Sequence, residues 1–203
     1  MWRIAKHAAW ILPAAVVCAT SLGCAFGDRK IRLDYKPAGT LKTTAPCCVN
    51  IVKFEDGRDS PEVGCVRNGY GMKTAKVLAM DLDGNQEKGQ DIGAWVSKAL
   101  AEELRQAGFE VREADTPPTG EKVVITGKVL DIYADLHMTI GTRIKVLVSI
   151  TREGSLVVNN QVFSADKSPL AWVASGGEYR SALEEALHDL MKTLIPVAIK
   201  AIE

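Results

Sequence analysis

The chain has 203 residues, 25 basic and 25 acidic side chains, and 47% hydrophobic residues. This composition excludes a disordered tail, a collagen-like repeat and a protein with several membrane spans. A formal net charge of zero and the lack of a local basic stripe also argue against nucleic acid as a partner.

Residues 1–23 are typical of a secretory signal peptide. Arg3 and Lys6 precede an apolar stretch at residues 8–17 (AAWILPAAVV), which small residues follow. This stretch is about ten residues long, whereas a stable membrane span needs roughly 20. We therefore expect the segment to be removed.

The sequence at residues 21–24 (SLGC) resembles the lipobox of bacterial lipoproteins, in which the cysteine is lipidated and becomes the first mature residue. Ser21 departs from the leucine that is commonest at its position. The alternative is an ordinary signal peptide cleaved after a small residue such as Ala25. In the sorting rule of enterobacterial lipoproteins, aspartate after the cysteine retains the protein at the inner membrane. Ala25 therefore implies an outer-membrane protein that faces the periplasm and contacts the membrane through lipid on Cys24.

The other cysteines suit an oxidising compartment. Of the five cysteines, Cys18 is removed with the signal peptide and Cys24 takes the lipid, which leaves Cys47, Cys48 and Cys65. A disulfide from Cys65 to Cys47 or Cys48 would close a loop of under twenty residues and stabilise the protein by roughly 3 kcal/mol. Three free thiols are the alternative, and the adjacency of two cysteines disfavours a zinc site.

Four strands are predicted before the first helix from alternating or β-branched apolar residues. A dense group of turn-forming residues at 55–61 separates the second strand from the third, and Asn68-Gly69 predicts a hairpin. The strands cover residues 30–36, 48–54, 62–67 and 74–80.

In the second half of the chain the sequence predicts one helix, then four strands, then a last helix. Asp91 caps the first helix and Gly108 ends it, and Pro196 should kink the last helix or end its regular part. Residues 116–120 (TPPTG) interrupt regular structure and predict a mobile loop. The predicted strands are 109–112 and a three-strand meander of 122–134, 139–151 and 155–164, and the last helix covers 177–201.

This order predicts one α/β (α+β) domain with a mixed, mostly antiparallel sheet and two helices packed on one face. The predicted boundaries are a signal peptide at residues 1–23, a lipidated N-terminal segment with a first strand at 24–46, and a globular domain at 47–203.

Several short motifs are distributed over residues 31–111 of the chain: residues 31–37 (IRLDYKP), 49–58 (VNIVKFEDGR), 63–64 (VG), 68–71 (NGYG), 100–104 (LAEEL) and 108–111 (GFEV). Together these motifs resemble the YajG-type lipoproteins. More remotely, the layout is similar to the TolB-like amino-terminal domain shared by curli-type secretion lipoproteins and lipoprotein activators of penicillin-binding proteins. The resemblance implies a periplasmic binding or assembly module without enzymatic residues to carry over.

Catalytic and metal-binding patterns are weak. The acidic turn at residues 55–59 lacks the ligand spacing of a calcium loop, and the glycines of residues 68–74 lack that of a phosphate loop. His137 and His188 have no partner at ligand spacing, and no serine lies in a GxSxG motif. We expect no catalytic residue, cofactor, metal or small-molecule substrate.

Three side chains are candidate partner contacts. Tyr70 either forms an exposed anchor or packs over the glycines of its turn. Trp172 either contacts a partner or closes the sheet core, and Arg58 either contacts a partner or pairs with Asp56.

The sequence therefore favours an outer-membrane lipoprotein whose domain binds another envelope protein or itself. The first alternative is a subunit of a lipoprotein ring that exports a polymer or fibre. An envelope hydrolase with an unrecognised site is the alternative of another class.

Overall fold

The computed structural model describes residues 27–39, 41–83, 86–137, 139–167 and 175–203, which form ten strands and two helices. In chain order the elements are β1 (Arg29–Ile31), β2 (Cys48–Val52), β3 (Glu55–Asp56), β4 (Glu62–Arg67), β5 (Lys73–Asp83), β6 (Gln86–Gly89), α1 (Ile92–Ala107), β7 (Glu110–Ala114), β8 (Val123–His137), β9 (Thr139–Arg152), β10 (Ser155–Lys167) and α2 (Gly176–Ile202).

Strand β8 organises the sheet. On one side it pairs antiparallel with β9, which pairs antiparallel with β10, so the predicted meander is confirmed. Its other side pairs in succession with β2, β3 and β4, all parallel to it. Strand β7 lies beyond β2, whereas β5 and then β1 lie beyond β4. The sheet is therefore mixed and forks along β8.

The two helices pack on one face of this sheet, as predicted. Alternation along β9 directs Ile144, Val146, Val148 and Ile150 into the core, where all four are fully buried. The fold class predicted from the sequence, a single α+β domain with a mixed sheet and two helices, is confirmed.

The predicted ends of α1 are also confirmed. The Asp91 carboxylate accepts a hydrogen bond from the Ala94 amide at 2.9 Å, and Gly108 ends the helix with a φ of 106°. Pro196, in contrast, does not end α2, which continues to Ile202. Pro196 lies on the exposed side of the helix, so water can reach the backbone carbonyl that loses its amide partner.

The first strand is shorter than predicted, because the chain leaves the sheet after Ile31. Both backbone groups of Leu33 bond to the Gln90 side chain, at 2.9 and 2.6 Å, and the Trp95 indole donates to the Asp34 carbonyl at 3.0 Å. The apolar alternation in this segment therefore reflects packing beside α1. The short strands β3 and β6 were not predicted, since turn-forming and polar residues dominate their sequences.

Residues 32–39 and 41–46 form an extended strap along the two helices. Glu103 of α1, only 7% exposed, holds the strap by accepting hydrogen bonds from the Tyr35 hydroxyl at 2.6 Å and the Ala38 amide at 2.8 Å. Burial, together with this carboxylate, raises the pKa of Tyr35 and keeps its hydroxyl protonated. Further along, the Thr43 hydroxyl donates to the carboxylate of Glu203, the residue that follows α2, at 2.7 Å. The strap thus belongs to the same folded unit as residues 47–203.

We expect Glu103→Gln to lower the free energy of unfolding by about 1–3 kcal/mol. The amide would replace one acceptor oxygen by a donor that faces the donors of Tyr35 and the strap backbone. Glu102→Gln is the matched control, because Glu102 is a half-exposed neighbour that pairs with Arg105 at 2.9 Å. For this control, urea unfolding should give a free energy of unfolding within about 0.5 kcal/mol of the wild type. Equal losses in the two variants would contradict the role assigned to Glu103.

Candidate functional site

Strand β10 is the longest edge of the sheet, and among the described strands it pairs with β9 alone. It exposes three large apolar side chains, Leu156, Val157 and Val162, whose exposed fractions are 53%, 42% and 53%. An edge strand presents unpaired backbone amides and carbonyls beside these side chains. The strand therefore combines apolar contact area with a free row of hydrogen-bonding groups.

Only the second half of β10 is regular enough to accept another strand. Register shifts interrupt its pairing with β9 between Leu156 and Val158 and again before Gln161, where Asn160 takes a φ of 47°. Residues 161–167 pair with β9 without interruption. Because bulges disturb pairing, the open edge of this sheet is the seven-residue segment 161–167.

The β7 edge is protected by contrast. It has only five residues, of which Glu110, Arg112 and Glu113 are charged and joined in ion pairs, the last with Arg105 at 2.6 Å. Charges and short length are the usual means of preventing strand addition. Residues 161–165 of the open edge (QVFSA) carry no charge.

A polar cluster lies where β4 pairs with the end of β8, with Cys65 level with Asp135. The buried Cys65 thiol donates to Asp135 at 3.4 Å, and Arg67 donates to the same carboxylate at 2.7 Å. Burial raises the pKa of the Cys65 thiol, and burial together with the thiol raises the pKa of Tyr133. Both groups therefore remain protonated near neutral pH, so Cys65 is a packing residue rather than an activated nucleophile.

A surface depression of about 540 Å³ adjoins this cluster. Its three cations, Arg67, Arg143 and Lys167, are each matched by a carboxylate, and Lys167 lies 2.9 Å from Asp189 of α2. These ion pairs neutralise the positive charges that would otherwise attract an anionic ligand. The depression therefore offers no excess positive charge to an anionic ligand.

The acidic turn is held by internal pairs, which confirms the structural interpretation of Asp56 and Arg58. The Arg58 guanidinium donates to both carboxylate oxygens of Asp56, at 2.8 and 2.7 Å, and holds the pKa of that carboxyl below its usual value. The Arg58 side chain is only 8% exposed. The guanidinium is thus bound within its own turn, and contact of Arg58 with a partner stays a prediction.

Tyr70 is the most exposed of the candidate contact residues that the structure describes. Its exposed fraction is 91%, so it does not pack over the turn glycines. Gly71 provides the positive φ of the hairpin, at 79°. That Tyr70 contacts a partner stays a prediction, and Cys24 and Trp172 lie outside the described residues.

The predicted disulfide is wrong, because the cysteines lie in different halves of the sheet. Asn50 of β2 is level with Val124 of β8, whereas Cys65 of β4 is level with Asp135 of β8. These two positions are eleven residues apart along β8. That separation is roughly 35 Å, and Cys47 and Cys48 lie further still. A disulfide requires Cα atoms within about 7 Å of each other. All three cysteines are free.

Two further properties concern the described residues alone. They contain no group of three or more His, Cys, Asp or Glu side chains that could hold a metal ion. Neither helix of this part of the chain combines the length and apolar character that crossing a bilayer needs.

No family model and no curated protein matches the chain. The chain is similar to the crystal structure of protein XCC0632 from Xanthomonas campestris, which belongs to family DUF330, with a TM-score of 0.53 and 11% identity over 87% of this chain and 95% of that one. A solved structure of an uncharacterized protein gives a TM-score of 0.48 and 8% identity over 84% and 99% of the two chains. The likeness to XCC0632 establishes that the chain shares the fold of that DUF330 protein.

Proposed function

We propose that this chain is a lipid-anchored binding module of the outer membrane, attached through Cys24 and facing the periplasm. Its task is to hold an extended segment of another envelope protein along the open edge, residues 161–167, without catalysing a reaction. The observation that carries the proposal is the open edge itself, whose residues 161–165 carry no charge and which exposes the apolar side chain of Val162.

The chemistry of the open edge favours strand addition. Backbone groups of an incoming segment would supply hydrogen bonds, and alternate side chains would supply specificity. Val162 lies on the outer face level with Leu147 of β9, so an added strand extends an apolar row that begins on the sheet. The neutral, paired polar cluster supports binding over catalysis, because its thiol and its phenol remain protonated.

We expect Val162→Lys to abolish partner capture while leaving the free energy of unfolding within about 0.5 kcal/mol of the wild type. A lysine on the edge disfavours the approach of another strand. Capture is measured by chemical crosslinking in the envelope followed by isolation of the tagged full chain. Leu130→Lys is the matched control, since Leu130 is a similarly exposed apolar residue on the central strand β8.

Light scattering on the same variants separates the two kinds of occupant. If the wild-type protein has a mass of two or more chains and Val162→Lys has the mass of one, the occupant of the open edge is a second copy of this chain. The ring alternative requires this result. A monomer that captures a different protein supports the adaptor. If Val162→Lys captures partners as well as the wild type and has the same mass in solution, the open edge is not the binding site.

A further inference from the structure

The turn between β4 and β5 carries the two most exposed large apolar side chains of the described residues. Tyr70 is 91% exposed and Met72 is 61% exposed. Hydrogen bonds fix the turn: the Asn68 carboxamide oxygen accepts from the amides of both residues, at 3.0 and 2.9 Å, and Arg67 donates to the Gly71 carbonyl at 3.0 Å. The turn is therefore a rigid loop that presents two apolar side chains with no packing role in the domain.

The N-terminal chain enters the sheet at the same end of the molecule. Strand β1 runs parallel to β5, with Arg29 level with Val77, and the Asp28 carboxylate accepts from the Lys76 amide at 2.8 Å. Because β5 begins at Lys73, directly after the turn, Asp28 lies within a few residues' length of that turn. The C-terminal end of β8 lies here too, with His137 beside Gly71.

Chain length then limits where a lipid on Cys24 would sit. Four residue steps separate Cys24 from Asp28, a reach of at most about 14 Å. The β9–β10 turn lies at the other end of β8, which spans Val123–His137 and is therefore about 45 Å long. An anchor at Cys24 thus brings the β4–β5 turn to the bilayer and keeps the β9–β10 turn away from it.

We propose that the β4–β5 turn is a membrane-contact surface, with Tyr70 and Met72 entering the boundary between lipid headgroups and acyl chains. The inference rests on the lipid anchor of the proposed function. A tyrosine suits this boundary because its ring is apolar and its hydroxyl is polar. Among the neighbouring cations Arg67 pairs with Asp135, whereas Lys73 and Lys76 share Glu62, so this group carries one net positive charge. Apolar insertion, rather than attraction to anionic lipid, therefore provides most of the contact.

Photocrosslinking to lipid tests this orientation. A benzoylphenylalanine is placed at position 70, 72 or 156 of the full-length chain, which is reconstituted in vesicles of phosphatidylethanolamine and phosphatidylglycerol. Leu156 is the matched control, because it is 53% exposed and lies beside the β9–β10 turn. We expect the probe to form lipid adducts at positions 70 and 72 and to form none at position 156. Equal adducts at all three positions, or adducts to protein alone at position 70, would overturn the proposal.

Metabolic labelling of the same preparation with a palmitate analogue separates failure of the contact from failure of the anchor. A labelled chain without lipid adducts at 70 and 72 overturns the membrane contact and leaves the anchor intact. An unlabelled chain that forms those adducts removes the anchor and supports the contact. An unlabelled chain without adducts overturns both.

Discussion

Cys24→Ala is expected to eliminate both the lipid label and the membrane attachment of the protein. Processing and acylation at a lipobox both require the thiol, so the variant should remain an unprocessed precursor or become soluble. Each CH₂ that an acyl chain buries contributes about 0.8 kcal/mol, and several chains together hold a protein at the membrane essentially permanently. The measurement is palmitate-analogue labelling combined with membrane fractionation.

Cys18→Ala provides the matched control. Cys18 lies in the predicted signal peptide, so its replacement should leave label and fractionation unchanged. Absence of label from the wild-type protein, together with unchanged membrane fractionation of Cys24→Ala, would remove the lipid anchor from the account.

Gly93→Ala is expected to destabilise the domain by about 3 kcal/mol or more, although alanine is the better helix former by about 1 kcal/mol. Gly93 lies in the first turn of α1. A Cβ atom there would stand 1.9 Å from the carbonyl oxygen of Phe54 and 2.9 Å from its carbonyl carbon. Because both atoms belong to the backbone, only a shift of α1 or of the chain after β2 could relieve the overlap.

Gly177→Ala is the control, because Gly177 also lies in a first helical turn but has room for a side chain. Its Cβ atom would meet the Ser175 hydroxyl at 3.6 Å, an ordinary contact. We expect this variant to match the wild type or to gain up to about 1 kcal/mol. Chemical unfolding of the two variants measures the difference. A Gly93→Ala protein as stable as the wild type would show that α1 does not approach the backbone of Phe54 so closely.

The sequence predicted those elements whose local signals agree with their packing. Asp91 and Gly108 mark the ends of α1 by cap chemistry that needs only neighbouring residues. The alternation of Ile144, Val146, Val148 and Ile150 predicted β9 because one face of the meander is buried. Local periodicity could not distinguish a strand from the extended strap, since Leu33 and Tyr35 pack beside α1 with the same two-residue alternation.

The candidate site was harder to predict, because an edge is a property of the assembled sheet. Leu156, Val157, Val162 and Phe163 make β10 apolar on both faces, which was a signal in the sequence. That signal alone does not reveal which strand ends the sheet. The disulfide prediction failed for the same reason: Cys47 and Cys65 are close in sequence, but successive strands of the segment pair with different parts of β8.

Hydrogen–deuterium exchange in the native envelope tests the binding role of the open edge most directly. The full-length protein is compared in isolated membranes and after purification in detergent. We expect the amides of residues 161–167 to be protected in the membrane and to exchange faster in the purified protein, while the β7 edge exchanges equally in both. Identical exchange of residues 161–167 in the two states would contradict the proposal that this edge holds a partner strand.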